Sequence, residues 1–303
     1  MKKSYFIITV DTEGDNLWNK VQRSTGSRTI HTENAKWLSR FQSLCEKYSL
    51  VPTYLTNYEM ASDDFYVGNA KEWQDSGMCE VGMHMHSWNC PPLYELKYHR
   101  YSHNPYAGDY PEEVVSDKIR YLTSFLEKQF GSSPTSHRGG RWYVDSFYLS
   151  ELSKLGYLVD CSVTAGISWK EQIGHQIYGN DYSKFPSKPY FINPNDISKK
   201  AKGGMLEIQP TIVRKNRKEK MWLRPNGRNR DDLLRIMDIE LPYYEFMIHS
   251  SELMPGGSPT FKTNEDIDRL YADMETLFEV VSDKKSEGIA LTKYAKLLNE
   301  AKK

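Results

Sequence analysis

The sequence predicts an α/β fold on a largely parallel sheet, closed or open. Three observations carry this. Short apolar, β-branched runs recur along the chain, beginning with Tyr5-Phe6-Ile7-Ile8-Thr9-Val10, and such runs suit strands buried on both faces. Segments with helical apolar spacing alternate with them. Polar residues able to do chemistry stand at the ends of strand after strand, where sites in parallel sheets lie. At 303 residues the chain suits one large domain, 1–303, or two small ones, and no linker, repeat or low-complexity tract divides it.

The elements follow in order. Tyr5 to Val10 is a strand that stops at Asp11, and residues 14 to 30 read as a loop. Thr32 to Tyr48 is a helix capped by Thr32, with Trp37, Leu38, Phe41, Leu44 and Cys45 as its apolar face. Val51 to Thr56 is a strand, Asn69 to Gln74 a short helix ended by Gly77, and Cys79 to His86 a strand. Residues 88 to 110 form a long loop rich in Pro, Tyr and His. Pro111 opens a helix to Phe130 with acids in its first turn, and Gly131 stops it. Pro134 to Arg138 is a weak strand. Asp145 caps a helix to Leu155, and Tyr157 to Thr164 is a strand. Residues 165 to 203 read as an irregular polar insertion. Met205 to Val213 is a strand, Asn229 to Ile239 a helix and Tyr244 to His249 a strand. Asn264 caps a helix to Ser282. Ile289 to Thr292 is a last strand before a C-terminal helix.

Composition excludes some partners. Lys+Arg and Asp+Glu both total 40, so the formal charge of zero gives no argument for nucleic acid or an anionic membrane surface as partner, and none is expected. No stretch is long and apolar enough for a signal peptide or a membrane span, which leads to an expectation of a cytoplasmic protein. Cys45, Cys79, Cys90 and Cys161 are scattered without C-x-x-C spacing, as for reduced thiols. With 21 Tyr and 7 Trp, the rings either fill the core or line a wet groove that suits sugars.

The chemistry centres on Glu80-Val81-Gly82-Met83-His84-Met85-His86-Ser87-Trp88. Residues two apart on a strand share a face, so His84 and His86 aim two imidazoles at one point. A single His at a strand end is usually packed or solvated. Two on one face, with a carboxylate from elsewhere, can hold a divalent ion and leave positions open. Asp11 and Glu13 end the first strand, Arg138 and Asp160 stand on later ones, and His249 ends another. Each has an ordinary account as a cap, a salt bridge or an acceptor of backbone bonds. Their shared position makes coincidence the weaker explanation. Together they describe amide or ester hydrolysis. An ion polarises the carbonyl and the water, one carboxylate takes a proton, Arg138 keeps that carboxylate ionised, His249 protonates the leaving group, and Asp160 orients an imidazole or guanidinium.

These residues resemble the polysaccharide deacetylases with a NodB-homology domain, carbohydrate esterase family four, over nearly the full chain. Thr9-Val10-Asp11-Thr12-Glu13-Gly14 stands where the family has T-F-D-D-G, with Asp11 at the general base and Glu13 replacing the metal Asp one residue later. His84 matches the first His of H-[S/T]-x-x-H. Trp88 occupies the second, leaving that role to His86. A divergent branch has D-x-E in motif one and H-x-H-x-W followed by Pro-Pro in motif two. This chain is similar to that branch in Asp11-Thr12-Glu13 and in His84 to Pro92. His137-Arg138-Gly139-Gly140-Arg141 matches the bracing Arg motif, Asp160 and Trp169 echo the fourth, and Phe246 to His249 with Gly256-Gly257-Ser258-Pro259 matches the fifth.

The resemblance implies a distorted (β/α)7 barrel, a divalent ion, most simply zinc, on Glu13, His84 and His86, and catalytic roles for Asp11, His249, Arg138 and Asp160. It implies an acylated sugar as substrate, nucleotide- or lipid-linked in members that build surface polysaccharide such as O-antigen or capsule. Trp88 in a ligand's place leaves open a metal-free enzyme that hydrolyses a cyclic amide or forms an amide on a sugar. The aromatic loop residues Trp88, Tyr94, Tyr98, Tyr101 and Tyr106 leave open a non-catalytic carbohydrate binder. The run Arg214, Lys215, Arg217, Lys218 reads as a solvated face before a phosphate site.

Overall fold

The computed structural model describes residues 3–17, 30–97, 104–217 and 219–301. It is a mixed α/β protein whose chain falls into two compact units. The first comprises Met1–Tyr54, Glu59–Glu80 and Thr211–Ala290. The second comprises Leu55–Tyr58, Val81–Pro210 and Leu291–Lys303.

In the first unit, strand Tyr5–Thr12 pairs in parallel with Tyr243–His249, from Tyr5 opposite Tyr243 to Asp11 opposite His249. It also pairs with the short strand Glu287–Gly288. Both long strands are buried almost throughout, as their continuous apolar runs require. Phe6, Phe246 and Phe278 meet edge-on or tilted with ring centroids 5.9 to 6.3 Å apart, and each such burial is worth ~1.5–3 kcal/mol. The strand runs to Thr12, past the expected stop, and its pairing with the late strand reaches Asp11, so Asp11 is held by the ladder itself.

Several helix starts differ from expectation. Thr32 opens a 3-10 turn, Glu33–Trp37, before helix Leu38–Lys47, and its hydroxyl donates to Asp63 Oδ2 at 2.6 Å rather than capping. Asp63 instead caps helix Asp64–Asp75, accepting from Tyr66 N, so that helix begins five residues before Asn69. Thr263, not Asn264, caps Asn264–Asp283, and Asp266 reciprocates by accepting from Thr263 N. The expected strand at Ile289–Thr292 is a two-residue strand earlier, and helix Leu291–Glu300 starts within it.

The second unit carries parallel pairings in sequence: Met83–Met85 with His137–Gly139, Ser136–His137 with Val159–Asp160, and Val159–Asp160 with Leu206–Glu207. Helices Glu112–Phe130 and Ser146–Lys154 belong to the same unit. Val115, Ile119, Leu122 and Leu126 form the buried stripe of the former. The strand expected over Tyr157–Thr164 ends after Asp160. Beyond it, Ser162 N bonds to the Asp160 carboxylate and Val163 N to that of Glu207, so side chains replace the ladder. Pro210, which has no N–H, separates Leu206–Glu207 from Ile212–Arg214 where one strand was expected.

Residues 165 to 203 are not irregular throughout. Tyr190–Asn193 adds antiparallel to Leu206–Glu207, and Asp196–Lys200 adds antiparallel to it. Nearby, Asp109 accepts backbone bonds from His175, Gln176 and Ile177 at 2.7 to 2.9 Å. Tyr54, Tyr66, Tyr106, Tyr148, Tyr182 and Tyr190 are fully buried, so the core claims much of the tyrosine content. Tyr106 lies under Arg141 at 3.9 Å and against Tyr143, so it packs rather than faces a groove. Tyr94 is exposed, and Tyr98 and Tyr101 lie outside the described residues. Arg214, Lys215 and Arg217 are exposed and Lys215 pairs with Asp232 at 2.9 Å. Lys218 is likewise outside the described residues. All four cysteines are free and buried.

Candidate active site

In the first unit, the parallel register puts Asp11 and His249 side by side, with His249 Nε2 3.8 Å from Asp11 Oδ2. The other ring nitrogen meets Glu252. That carboxylate accepts from His249 N at 2.9 Å, lies 3.1 Å from Nδ1, and accepts from Arg224 Nη2 at 3.0 Å. Arg224 Nη2 also lies 3.0 Å from Nδ1. Burial drives the Glu252 carboxyl upward, but the Arg224 guanidinium, the His249 ring and the bonds from His249 outweigh it and hold the group down at about 2. Glu252 and Arg224 thus hold the His249 ring by its Nδ1 edge and leave Nε2 on the Asp11 side.

Glu13, fully buried, follows the strand by one residue. Its backbone is held on both sides. Glu13 N donates to Ser250 Oγ at 3.1 Å, and Asn34 Nδ2 donates to Glu13 O at 2.8 Å. Ser250 and Asn34 also bond to each other at 2.8 Å. Gly14 follows because a Cβ there would lie 2.3 Å from Ile30 Cγ2 and 2.9 Å from His31 O.

In the second unit, His84 and His86 turn to the same face, as alternation requires, with their Nε2 atoms 3.0 Å apart. His84 Nδ1 lies 2.9 Å from Arg138 O, and because a carbonyl can only accept, Nδ1 carries the proton. Nε2 of His84 is then a lone-pair donor. This outer bond to a backbone carbonyl is the usual second bond of a metal-binding imidazole. Two nitrogens bound roughly 2.0–2.1 Å from one tetrahedral zinc would sit about 3.3 Å apart, close to the spacing found. His86 packs on Trp88, ring centroids 4.3 Å apart. Gly140 makes room for it, since a Cβ there would meet His86 Nδ1 at 2.7 Å and Met85 O at 2.6 Å.

Arg138 is fully buried, donates Nε to Cys161 O at 3.2 Å, and lies 4.8 Å from the Trp142 ring centroid. Trp142 and Arg141 both have left-handed backbone, φ 62 and 57, a costly conformation for side chains of that size. Arg141 secures it by donating to Asn104 O and, at 3.1 Å, to Ile173 O.

Asp160 stands in register between His137 and Glu207. Its Oδ1 lies 2.6 Å from His137 Nδ1 and accepts from Ser162 Oγ at 2.8 Å, while His137 Nε2 meets Tyr148 OH at 3.0 Å. The imidazole that Asp160 orients is thus His137. Burial pushes Asp160 up, but the His137 and Ser162 bonds win and it stays below the ordinary carboxylate range. Burial and the adjacent Asp160 push Glu207 well above it, which favours its protonated form. Trp169 donates its indole N–H to Thr164 Oγ1 at 2.9 Å.

Arg224, Glu252, Ser250, Asn34, His137 and Glu207 were missed by the sequence reading. Glu252, three residues after His249, carried a readable signal as the third position of a turn. His137 and Glu207 join Asp160 through pairings of distant strands, and Asn34 and Arg224 reach the site by side-chain bonds across the chain.

No protein-family model matches the chain, and comparison with curated proteins gives no match. Solved structures do match. A candidate glycoside hydrolase/deacetylase from Parabacteroides distasonis superposes with a TM-score of 0.68 at 11% identity, covering 99% of this chain and 72% of that one. A candidate polysaccharide deacetylase from Mycobacterium smegmatis gives 0.59 at 12% identity, covering 98% and 91%. At such identities the likeness establishes the fold, the distorted (β/α)7 barrel of NodB-homology type that the motifs imply.

Proposed function

We propose that residues 1–303 act as one catalytic domain, a divalent-metal-dependent hydrolase that removes an acetyl or related acyl group from an N-acylated sugar. The sugar is nucleotide- or lipid-linked, the setting is cytoplasmic assembly of a surface polysaccharide, and the ion is zinc held by Glu13, His84 and His86. The observation that carries this is the His84–His86 pair, whose Nε2 atoms converge at 3.0 Å while Arg138 O fixes the His84 tautomer. The D-x-E and H-x-H-x-W motifs and the deacetylase-type fold support it.

A bound divalent ion supplies Lewis-acid polarisation of the acyl carbonyl and acidifies water. Asp11 takes the water proton, and His249, oriented by Glu252, gives Nε2–H to the leaving sugar amine. In the second unit the buried Arg138 guanidinium lies 4.8 Å from the ring centroid of the half-buried Trp142. Among the described residues no helix is long and apolar enough to cross a membrane.

The test is acetate release from N-acetylglucosamine oligomers and from a nucleotide-linked N-acetyl sugar, with and without chelator. Chelator-sensitive release supports the assignment. Chelator-resistant opening of a cyclic amide favours the metal-free reading, and sugar binding without turnover favours the binder.

A further inference from the structure

The two loops that hold His249 in the first unit run on to border a groove. Arg224, in contact with His249 and Glu252, leads into the turn Asn226–Arg228. Glu252, on the 3-10 turn Ser250–Leu253, leads into the loop that ends at Lys262. These loops meet: a Cβ on Gly227, φ 75, would sit 3.2 Å from Thr260 and 3.3 Å from Phe261. Beside that contact lies a groove of about 820 Å³ floored by the buried Phe261 and Leu270.

The groove is basic in a chain whose total charge is zero. Arg228, Arg230, Lys262 and Arg269 line it against two carboxylates, Asp266 and Asp273. Arg269 is paired with Asp266, and Arg230 lies 3.7 Å from Asp273. Arg228 and Lys262 are exposed and pair with no carboxylate among the described residues. Asp266 already takes the backbone N–H groups of Lys262 and Thr263, so the helix end is satisfied and the excess charge belongs to the side chains. Two uncompensated cations match a diphosphate diester, which carries two negative charges, better than a uronate, which carries one. The volume exceeds what a phosphate alone needs and leaves space for its sugar or carrier.

We infer that this groove binds the diphosphate of an activated sugar, bringing an anchored substrate to the loops that position His249. The inference rests on the hydrolase reading for its substrate, but its test does not. Inorganic pyrophosphate and, separately, galacturonate are titrated into the full chain and its His84→Ala variant by calorimetry at matched ionic strength. The His84→Ala background removes a bound ion as the receptor. Pyrophosphate is expected to bind both, and Arg228→Ala/Lys262→Ala to weaken it at least tenfold. Arg214→Ala/Arg217→Ala, in the other basic run, should leave it unchanged. Absent binding, binding indifferent to Arg228→Ala/Lys262→Ala, or equal binding of galacturonate overturns the inference. Acetate release from an unphosphorylated oligomer is read in parallel. If that release is absent while pyrophosphate binding behaves as expected, the hydrolase fails and the groove stands; the reverse result sinks the groove alone.

Discussion

Asp11 and His249 occupy the same level of two adjacent parallel strands, with 3.8 Å between Oδ2 and Nε2. That adjacency follows from the pairing of residues 238 positions apart, and it sets a carboxylate beside an imidazole. Asp11→Asn and His249→Ala are each expected to cut acetate release by roughly 10²–10⁴-fold. The far-ultraviolet dichroism should match the parent. An Asp11→Asn protein with full turnover would remove Asp11 from the reaction.

Glu252 should make the fold acid-sensitive. Its folded value of about 2 lies below the unfolded 4.5, so its contribution is present above about 4.5 and is lost as pH falls through 2. The shift corresponds to about 3 kcal/mol at neutral pH. Urea unfolding of Glu252→Gln should show a loss of that order at pH 7, shrinking towards pH 2. A loss independent of pH would mean packing rather than charge.

Glu207 should behave oppositely. A raised carboxyl contributes fully below its unfolded value and loses that contribution as pH rises through its folded one. Glu207→Gln, isosteric with the neutral acid, is expected to cost little near pH 5 and to gain relative stability at alkaline pH. Asp160→Asn loses an anion bonded to His137 and Ser162 and should cost about 1–3 kcal/mol. Equal losses in both variants at all pH values would contradict opposite charge states.

Much of this was readable in the sequence, and the limits are physical. Alternation put His84 and His86 on one face, and the apolar runs 5–10 and 244–249 marked strands whose ends carry Asp11 and His249. Local patterning could not say which strands pair, so the His137–Asp160–Glu207 row was invisible: it exists only across three strands. The antiparallel strands within 165–203 were hidden for the same reason, and Asp196–Lys200 is polar enough to read as loop. The Thr32 cap failed because the Asp63 carboxylate of another segment takes its hydroxyl.

Arg141 should matter through its backbone. It bonds two carbonyls of other segments and covers Tyr106, which holds the left-handed turn that carries Trp142. Arg141→Ala is expected to lower stability by about 1–3 kcal/mol, the range for losing charge-assisted bonds. Thermal denaturation measures it. An unchanged melting temperature would mean that the turn holds itself.

The most direct measurement is the metal content of the purified chain, read by elemental analysis beside that of His84→Ala and His86→Ala. About one equivalent of zinc or a similar divalent ion is expected in the parent, with at least a tenfold loss in each variant and acetate release falling in step. A parent chain that carries no more than trace metal yet releases acetate in the presence of chelator would contradict the metal-dependent hydrolase.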